Sequence, residues 1–269
     1  MFFYLGSIIE NKLFLTKDEL KSKKVFLVLH GLFGRGKNWT QIVKSLSEKI
    51  SAVFITVDLR NHGENQSSNN LSYSLMVKDV FILLQKLELK KISFIGHSMG
   101  GKVAMIFSLL HNDLVENLII VDIAPVKYLS NEIEIVDYLL DIDLNKIKSR
   151  KDADDILKEN LNDKSLRLFL LQNLIFSENS YRWSINLNTL KKSMNNLRDF
   201  PINNLYKFEQ DVLCVFGENS NYVNQENKKI FRTFFPNVNF EKLKNSGHWL
   251  HAENPLVFVE KIKNYLMSN

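Results

Sequence analysis

Gly96-His97-Ser98-Met99-Gly100 fits G-x-S-x-G, a spacing that can present a serine hydroxyl as a nucleophile. That chemistry needs the serine on a very tight strand-to-helix turn, and only small flanking residues let the two elements approach so closely. The flanks meet this condition: Ile92 to Ile95 is a strand-like run, and Gly101 to Phe107 reads as the opening of a helix. Three further segments carry groups that would complete the chemistry. They are His30-Gly31-Leu32-Phe33-Gly34 before the serine, Asp122 after it, and Ser246-Gly247-His248-Trp249 near the C-terminus. Serine, then acid, then histidine is a chain order that neither chymotrypsin-type nor subtilisin-type proteases share.

In this reading Ser98 is the nucleophile and His248 the base that takes its proton and returns it to the leaving group. A carboxylate must hold the imidazole in the right tautomer and favour the imidazolium. Two compete for that role. Asp122 ends the apolar run Leu118 to Val121, a strand expected beside the one carrying Ser98, so it emerges at the same sheet edge; Glu218 lies on another turn and is expected to point elsewhere. The geometry favours Asp122. The Met99 backbone N–H, with that of Leu32 from the loop after the first long strand, would form the oxyanion hole. Only the N–H of Leu32 is used there, so its side chain is free to line the substrate pocket.

These groups are far apart in sequence and need a scaffold that gathers them. Apolar, β-branched-rich runs occur at Val25–Leu29, Val53–Val57, Ile92–Ile95, Leu118–Val121 and Val212–Phe216, each followed by a Gly-, Asp- or Asn-containing turn. Segments of helical periodicity lie between the first four, around Trp39 to Leu46, Leu71 to Leu87 and Lys102 to Leu110. The alternation predicts a parallel, doubly wound sheet buried on both faces, whose turns converge on one edge. Val238 to Leu243 is a last strand, Pro255 to Leu266 a closing helix, and Phe2 to Leu15 a candidate antiparallel hairpin. Asn65 to Asn70 reads as a surface loop. Between about Val126 and Phe208 the alternation stops, and helical spacing dominates, as in Ile133, Val136, Leu139, Leu140 and later Leu166, Leu168, Leu170, Leu171, Leu174. The expectation is a core of residues 1–125 and 209–269 with a helical cap, 126–208, over the ligand-binding edge of the sheet.

Composition narrows the function classes. The chain has 269 residues, 45% of them hydrophobic, enough for a large core. No apolar run reaches the ~18 residues of a membrane span, and the N-terminus lacks a basic start and a small-residue cleavage site. The single cysteine, Cys214, excludes an internal disulfide, and a reducing cytoplasmic location fits. With 35 basic and 30 acidic residues spread along the chain, no arm suited to nucleic acid stands out. Basic residues from Lys146 to Arg167 could attract an anionic substrate or carrier, but interleaved acidic residues favour solvated helix faces. No ligand spacing such as H-E-x-x-H suggests a metal, and no glycine-rich strand-to-helix loop suggests a nucleotide, so no cofactor is expected. His30 is expected to order the oxyanion loop, His97 to fill the variable elbow position, and His62 to play a structural part in its turn.

The six segments His30 to Gly34, Asp58 to Gly63, Gly96 to Lys102, Val121 to Val126, Gly217 to Val223 and Gly247 to Glu253 together resemble the YbfF-type esterases of the α/β-hydrolase superfamily. The resemblance implies an α/β-hydrolase fold and assigns the acid to the aspartate of Asp-Ile-Ala-Pro, matching Asp122. It places Ser220 of Gly217-Glu218-Asn219-Ser220 where other families of the fold keep an aspartate. It further implies an esterase or thioesterase acting on acyl esters, with acyl-CoA among the substrates, a helical lid, and Trp249 near the entrance. Two alternatives stand beside this reading: a carboxylesterase acting on acyl-carrier-protein methyl esters, whose basic cap would dock the acidic carrier, and a non-catalytic binding protein on the same scaffold. A binder has no need of Ser98, His248 and the oxyanion loop together.

Overall fold

Apolar runs without alternation must be covered on both sides, and in the computed structural model of the chain they form the middle of one sheet. The structure describes residues 5–9, 20, 22–65, 69–129, 132–203 and 205–268. The strands are β1 (Leu5–Ile9), β2 (Val25–Leu29), β3 (Val53–Val57), β4 (Ile92–His97), β5 (Val115–Val121), β8 (Val212–Gly217) and β9 (Val238–Leu243), in the spatial order β1-β3-β2-β4-β5-β8-β9. Six of them run parallel, and β1 pairs antiparallel with β3 at one edge. Leu5 to Ile9 finds its hydrogen-bond partners on β3; residues 2–4 and 10–15 of the expected N-terminal hairpin lie outside the described residues. So do 66–68 of the expected surface loop.

Every residue of β2, β3, β4 and β8 is buried, and in β5 only Glu116 reaches solvent. Successive side chains point to opposite faces, so Val25, Leu27 and Leu29 enter one core cluster while Phe26 and Val28 enter the other. On one face lie α1 (Thr40–Ser47) and α9 (Pro255–Ser268), through Ile42, Val43, Leu46, Phe258, Val259 and Ile262. On the other lie α2 (Tyr73–Leu87), α3 (Met99–Leu110) and α8 (Gln225–Phe234).

Between β5 and β8 the chain forms α4 (Glu132–Leu140), α5 (Arg150–Leu157), α6 (Lys164–Leu171), the strands β6 (Leu174–Ser177) and β7 (Ser180–Trp183), and α7 (Leu187–Arg198). Ser149, Asp163 and Asn186 start α5, α6 and α7 by accepting hydrogen bonds from backbone N–H groups of the first turn. The leucine spacing expected to carry one helix through Leu174 breaks at Leu171. Leu174 opens a two-stranded antiparallel hairpin instead, closed by Glu178 and Asn179, both at positive φ (53° and 61°) as a two-residue turn demands. Val136, Leu139, Leu157, Leu170, Leu190 and Met194 of this insertion share one apolar cluster with α2 and α3.

The turn after β3 holds the turn after β2, and it does so through two fully buried imidazoles. His30 accepts from Leu59 N–H at Nε2 (2.9 Å) and donates from Nδ1 to Gly31 O (2.8 Å); His62 accepts from Phe33 N–H at Nε2 (3.3 Å) and donates from Nδ1 to Arg60 O (3.0 Å). Accepting at Nε2 fixes both as neutral Nδ1–H tautomers. Gly36 N–H adds a bond to Asp58 Oδ1 at 2.7 Å. Burial lowers the His30 pKa from 6.5 to about 3, with His62 adding to the effect, and it lowers that of His62 as well. Burial also lowers His251 to about 3 and His97 well below 6.5.

These four side chains are neutral in the folded state and protonate in the unfolded chain below about pH 6.5, so stability must fall as pH drops from 6.5 toward their depressed values. Each contributes a slope of roughly 1 kcal/mol per pH unit in that window. Urea unfolding between pH 7.5 and 5 should therefore show a steep loss of stability below 6.5, reduced in slope by His251→Phe. A profile flat across this range contradicts the neutral, buried assignment.

Candidate active site

Ser98 sits between the last residue of β4 and the first of α3 with φ 52° and ψ −118°, a backbone conformation that L-residues rarely adopt. Close packing holds it there. A Cβ added at Gly100 would come within 2.5 Å of Leu29 O and 2.6 Å of His30 O, so the first turn of α3 presses directly on the end of β2. Ser98 N–H donates to Val121 O at 3.1 Å and Ser98 O accepts from Lys102 N–H at 3.0 Å, which fix the turn from both sides. Met99 N–H lies at the start of α3, where helix N–H groups lack intrahelical acceptors and the helix dipole favours negative charge.

The loop 30–34 runs beside this turn: a Cβ on Gly31 would lie 2.7 Å from His97 Nδ1 and 3.1 Å from the Ser98 Cβ. Gly31 O accepts from His30 Nδ1–H (2.8 Å) and from Gly34 N–H (3.0 Å). Because the trans peptide is planar, those two bonds turn the Leu32 N–H the opposite way. Phe33, next in the chain, is held at φ 61°.

Asp122 is 0% exposed and also has positive φ (51°). Its N–H donates to Val215 O at 2.9 Å, and its carboxylate accepts from Gly217 N–H (3.0 Å), Ser220 Oγ–H (2.5 Å) and His248 Nδ1 (2.7 Å). Glu218, the rival carboxylate, faces the other way. It is exposed, pairs with Lys242 Nζ at 3.1 Å and accepts from Asn245 N–H, which together hold its pKa below the ordinary value. His248 is partly exposed, lies on the turn after β9, and is clasped between rings: Tyr222 stacks on it at 4.2 Å, His97 lies at 4.7 Å and Trp249 at 5.7 Å.

Ser98, His248, Leu32, Met99 and Trp249 all line one cavity of about 520 Å³, roofed by Tyr138, Leu161, Phe169 and Met194 of the insertion. Trp249 packs against Phe169 at 5.6 Å, so it joins the turn carrying His248 to α6. Two contributors escaped the sequence reading. His97, expected only to fill the elbow, donates from Nε2 to His248 O at 2.9 Å and so fixes the backbone of that turn. Ser220 donates a hydrogen bond from its Oγ–H to Asp122, where the resemblance marked only a missing carboxylate. Cys214 is buried and its thiol pKa is raised well above 9.0, by burial and then by Asp122, as suits an inert core thiol. Among the described residues no cluster of His, Cys, Asp or Glu fits a metal ion, and no helix is long and apolar enough to cross a membrane.

The chain matches the α/β-hydrolase fold family model over residues 24–255. The sn-1-specific diacylglycerol lipase ABHD11 of Danio rerio is 34% identical over 245 residues, covering 88% of this chain and 77% of that protein. Esterase YbfF of Escherichia coli is 29% identical over 252 residues, covering 93% of this chain and 96% of that protein, in line with the resemblance carried by the motifs. The solved structure of a marine microorganism esterase superposes with a TM-score of 0.84 at 32% identity, covering 89% of this chain and 94% of the other. Matched over most of its length in sequence and in fold, the chain belongs to the α/β-hydrolase family.

Proposed function

We propose that this protein is a serine hydrolase that cleaves carboxylic esters with apolar acyl groups through an acyl-enzyme on Ser98. The observation that carries the reading is one cavity wall holding a strained Ser98 and a His248 whose Nδ1 is fixed 2.7 Å from the buried Asp122. That bond leaves Nε2 of His248 as the base. Ser98 Oγ attacks the ester carbonyl while its proton passes to Nε2, and the oxyanion forms against the N–H groups of Leu32 and Met99. Collapse of the tetrahedral adduct breaks the C–O bond, and the imidazolium protonates the departing alcohol. Water, deprotonated by the same histidine, then releases the carboxylic acid and restores Ser98. Asp122 keeps its negative charge throughout and stabilises the imidazolium.

The names of the relatives, an esterase and a diacylglycerol lipase, support an ester as substrate, and the apolar cavity supports an acyl chain as its anchor. Thioesters such as acyl-CoA undergo the same attack and belong in the substrate screen, as do carrier-protein esters. In this reading residues 126–208 form a cap that sets acyl-chain length, with Trp249 at the entrance.

Labelling by a fluorophosphonate probe tests the nucleophile: the wild-type protein should react and Ser98→Ala should not, with turnover down by about 10⁴-fold or more. A protein that binds acyl ligands without hydrolysing them would leave the probe unreacted. Asp122→Asn should cost about 10⁴ in kcat on a short-chain ester, as the same change does in a serine protease. Glu218→Gln should be near neutral, and Ser220→Asp in the Asp122→Asn background should restore part of the rate, because Ser220 Oγ lies 2.5 Å from the lost carboxylate. The acid assignment fails if Glu218→Gln is the crippled variant.

Chain-length control is read separately. Leu161→Trp, on the cavity roof, should lower kcat/KM for long acyl chains by at least about tenfold more than for acetyl, since the added ring occupies the space a longer chain needs. An equal effect on all chain lengths means the insertion does not measure the chain.

A further inference from the structure

Asn173 lies between α6 and β6, far from the reacting atoms in sequence, yet it is 2% exposed and its amide is fully engaged. Nδ2 donates to Phe33 O at 2.8 Å and to Leu170 O at 3.2 Å, while Oδ1 accepts from Ser184 Oγ at 3.3 Å. Two carbonyl oxygens can only accept, so the NH₂ must face them and the orientation of the amide is fixed. Its backbone is gripped as well: Asn173 N–H donates to Leu170 O at 3.0 Å and Asn173 O accepts from Ser184 N–H at 2.7 Å. The neighbouring Gln172 Oε1 accepts from Asn38 Nδ2 at 2.6 Å, a second bond between the same two regions.

The partner of Asn173 is what makes this arrangement informative. Phe33 follows Leu32, the oxyanion-hole donor of the hydrolase reading, and its positive φ has to be maintained by bonds on either side. His62 takes its N–H; Asn173 takes its C=O. Among the described residues, the other bonds that orient residues 31–34 come from the core, through His30, His62 and the Gly34 N–H. Asn173 alone among these reaches the loop from the insertion between β5 and β8.

Resting on the Ser98 hydrolase reading, we propose that Asn173 is a positioning residue for the oxyanion hole: by clamping the Phe33 carbonyl it aims the Leu32 N–H, and it makes that aim depend on the insertion being docked. Transition-state stabilisation requires a donor placed where the oxyanion forms, and a misplacement of the order of 1 Å costs about 10²-fold. The ester itself is held mostly by cavity residues outside this loop, among them Tyr138, Leu161, Phe169 and Met194, and senses the change far less. The clamp thus acts on kcat and on oxyanion-bearing ligands, and far less on ground-state binding.

The experiment compares wild type, Asn173→Asp and Ser184→Ala. Asn173→Asp keeps the side-chain shape but sets an acceptor against two carbonyls, and Ser184→Ala removes only the hydroxyl that orients the amide, so it serves if the first variant does not fold. Measured are kcat and KM for p-nitrophenyl butyrate and inhibition constants for an alkyl trifluoromethyl ketone, whose serine adduct bears an oxyanion, and for butyrate, which does not. Asn173→Asp should lower kcat by about 10 to 100-fold and weaken the ketone by a matching factor, with KM and butyrate binding within about twofold of wild type. Ser184→Ala should shift the same two quantities in the same direction by a smaller factor. Wild-type ketone affinity in both variants, or equal losses for ketone and butyrate, overturns the proposal. Failure of the wild-type protein to turn over ester or to react with a fluorophosphonate overturns the hydrolase reading first, and the two failures are distinguished by that control.

Discussion

A carboxylate with no access to water is tolerable only when donors surround it, and Asp122 draws its donors from separate parts of the chain. Gly217 N–H comes from the last residue of β8, Ser220 Oγ–H from the turn that follows it, and His248 from the turn after β9. Compensation of one buried charge therefore fixes the relative placement of three strand ends. Ser220 shows how this economy operates. As a hydroxyl it cannot replace the charge of a carboxylate, but it can satisfy one, and its proton occupies the side of Asp122 that faces away from Gly217. Asp122 and Ser220 share a single hydrogen-bonded unit, so on the hydrolase reading a carboxylate at either position would sit within it.

Much of this arrangement was legible in the sequence, because its causes are local. Uninterrupted apolar runs at Val25–Leu29, Val53–Val57 and Val212–Phe216 can only be strands buried on both faces, and the structure places strands there. The elbow follows from Gly96, Gly100 and Gly101: the missing Cβ of Gly100 lets Leu29 O and His30 O come so near, and Gly96 and Gly101 let β4 and α3 approach each other. Other features have no local signature. His97 donating to His248 O spans 151 residues, and Asn173 meeting Phe33 O spans 140; a single asparagine in a helix-rich stretch gives no hint of its partner. The β6–β7 hairpin was hidden by leucines whose spacing suits a helix. The contrary signals were Ile175, Phe176, Tyr181 and Trp183, types that favour strands, on either side of the turn Glu178-Asn179.

The insertion between β5 and β8 is tied to the core at two places by polar groups rather than by apolar packing alone. At one, Asn173 holds it to the loop after β2. At the other, Lys102 of α3 donates from Nζ to Arg198 O (2.8 Å) and Asp199 O (2.9 Å) and lies 4.9 Å from the centre of the Tyr128 ring. The carbonyls at the C-terminal end of α7 carry the negative pole of that helix, so they suit a buried ammonium. Tyr73 Oη–H donates to Leu197 O at 2.7 Å beside it. Both ties end on elements that also shape the cavity, one on α3 and the other on the loop of Leu32.

His248 follows Ser98, Asp122 and Asn173 in the sequence, on the turn after β9, the strand that pairs with β8. The parts of the candidate site thus accumulate along the polypeptide in order: the loop after β2, the elbow, Asp122, Asn173, and last the histidine. On the serine-hydrolase reading proposed above, a ribosome making this protein would release the nucleophile early and its base late. Until β9 joined the sheet, Ser98 would then lack its proton acceptor, and a nascent chain would be silent toward the acyl groups around it. Hydrolytic competence, on that reading, is a readout of the finished fold.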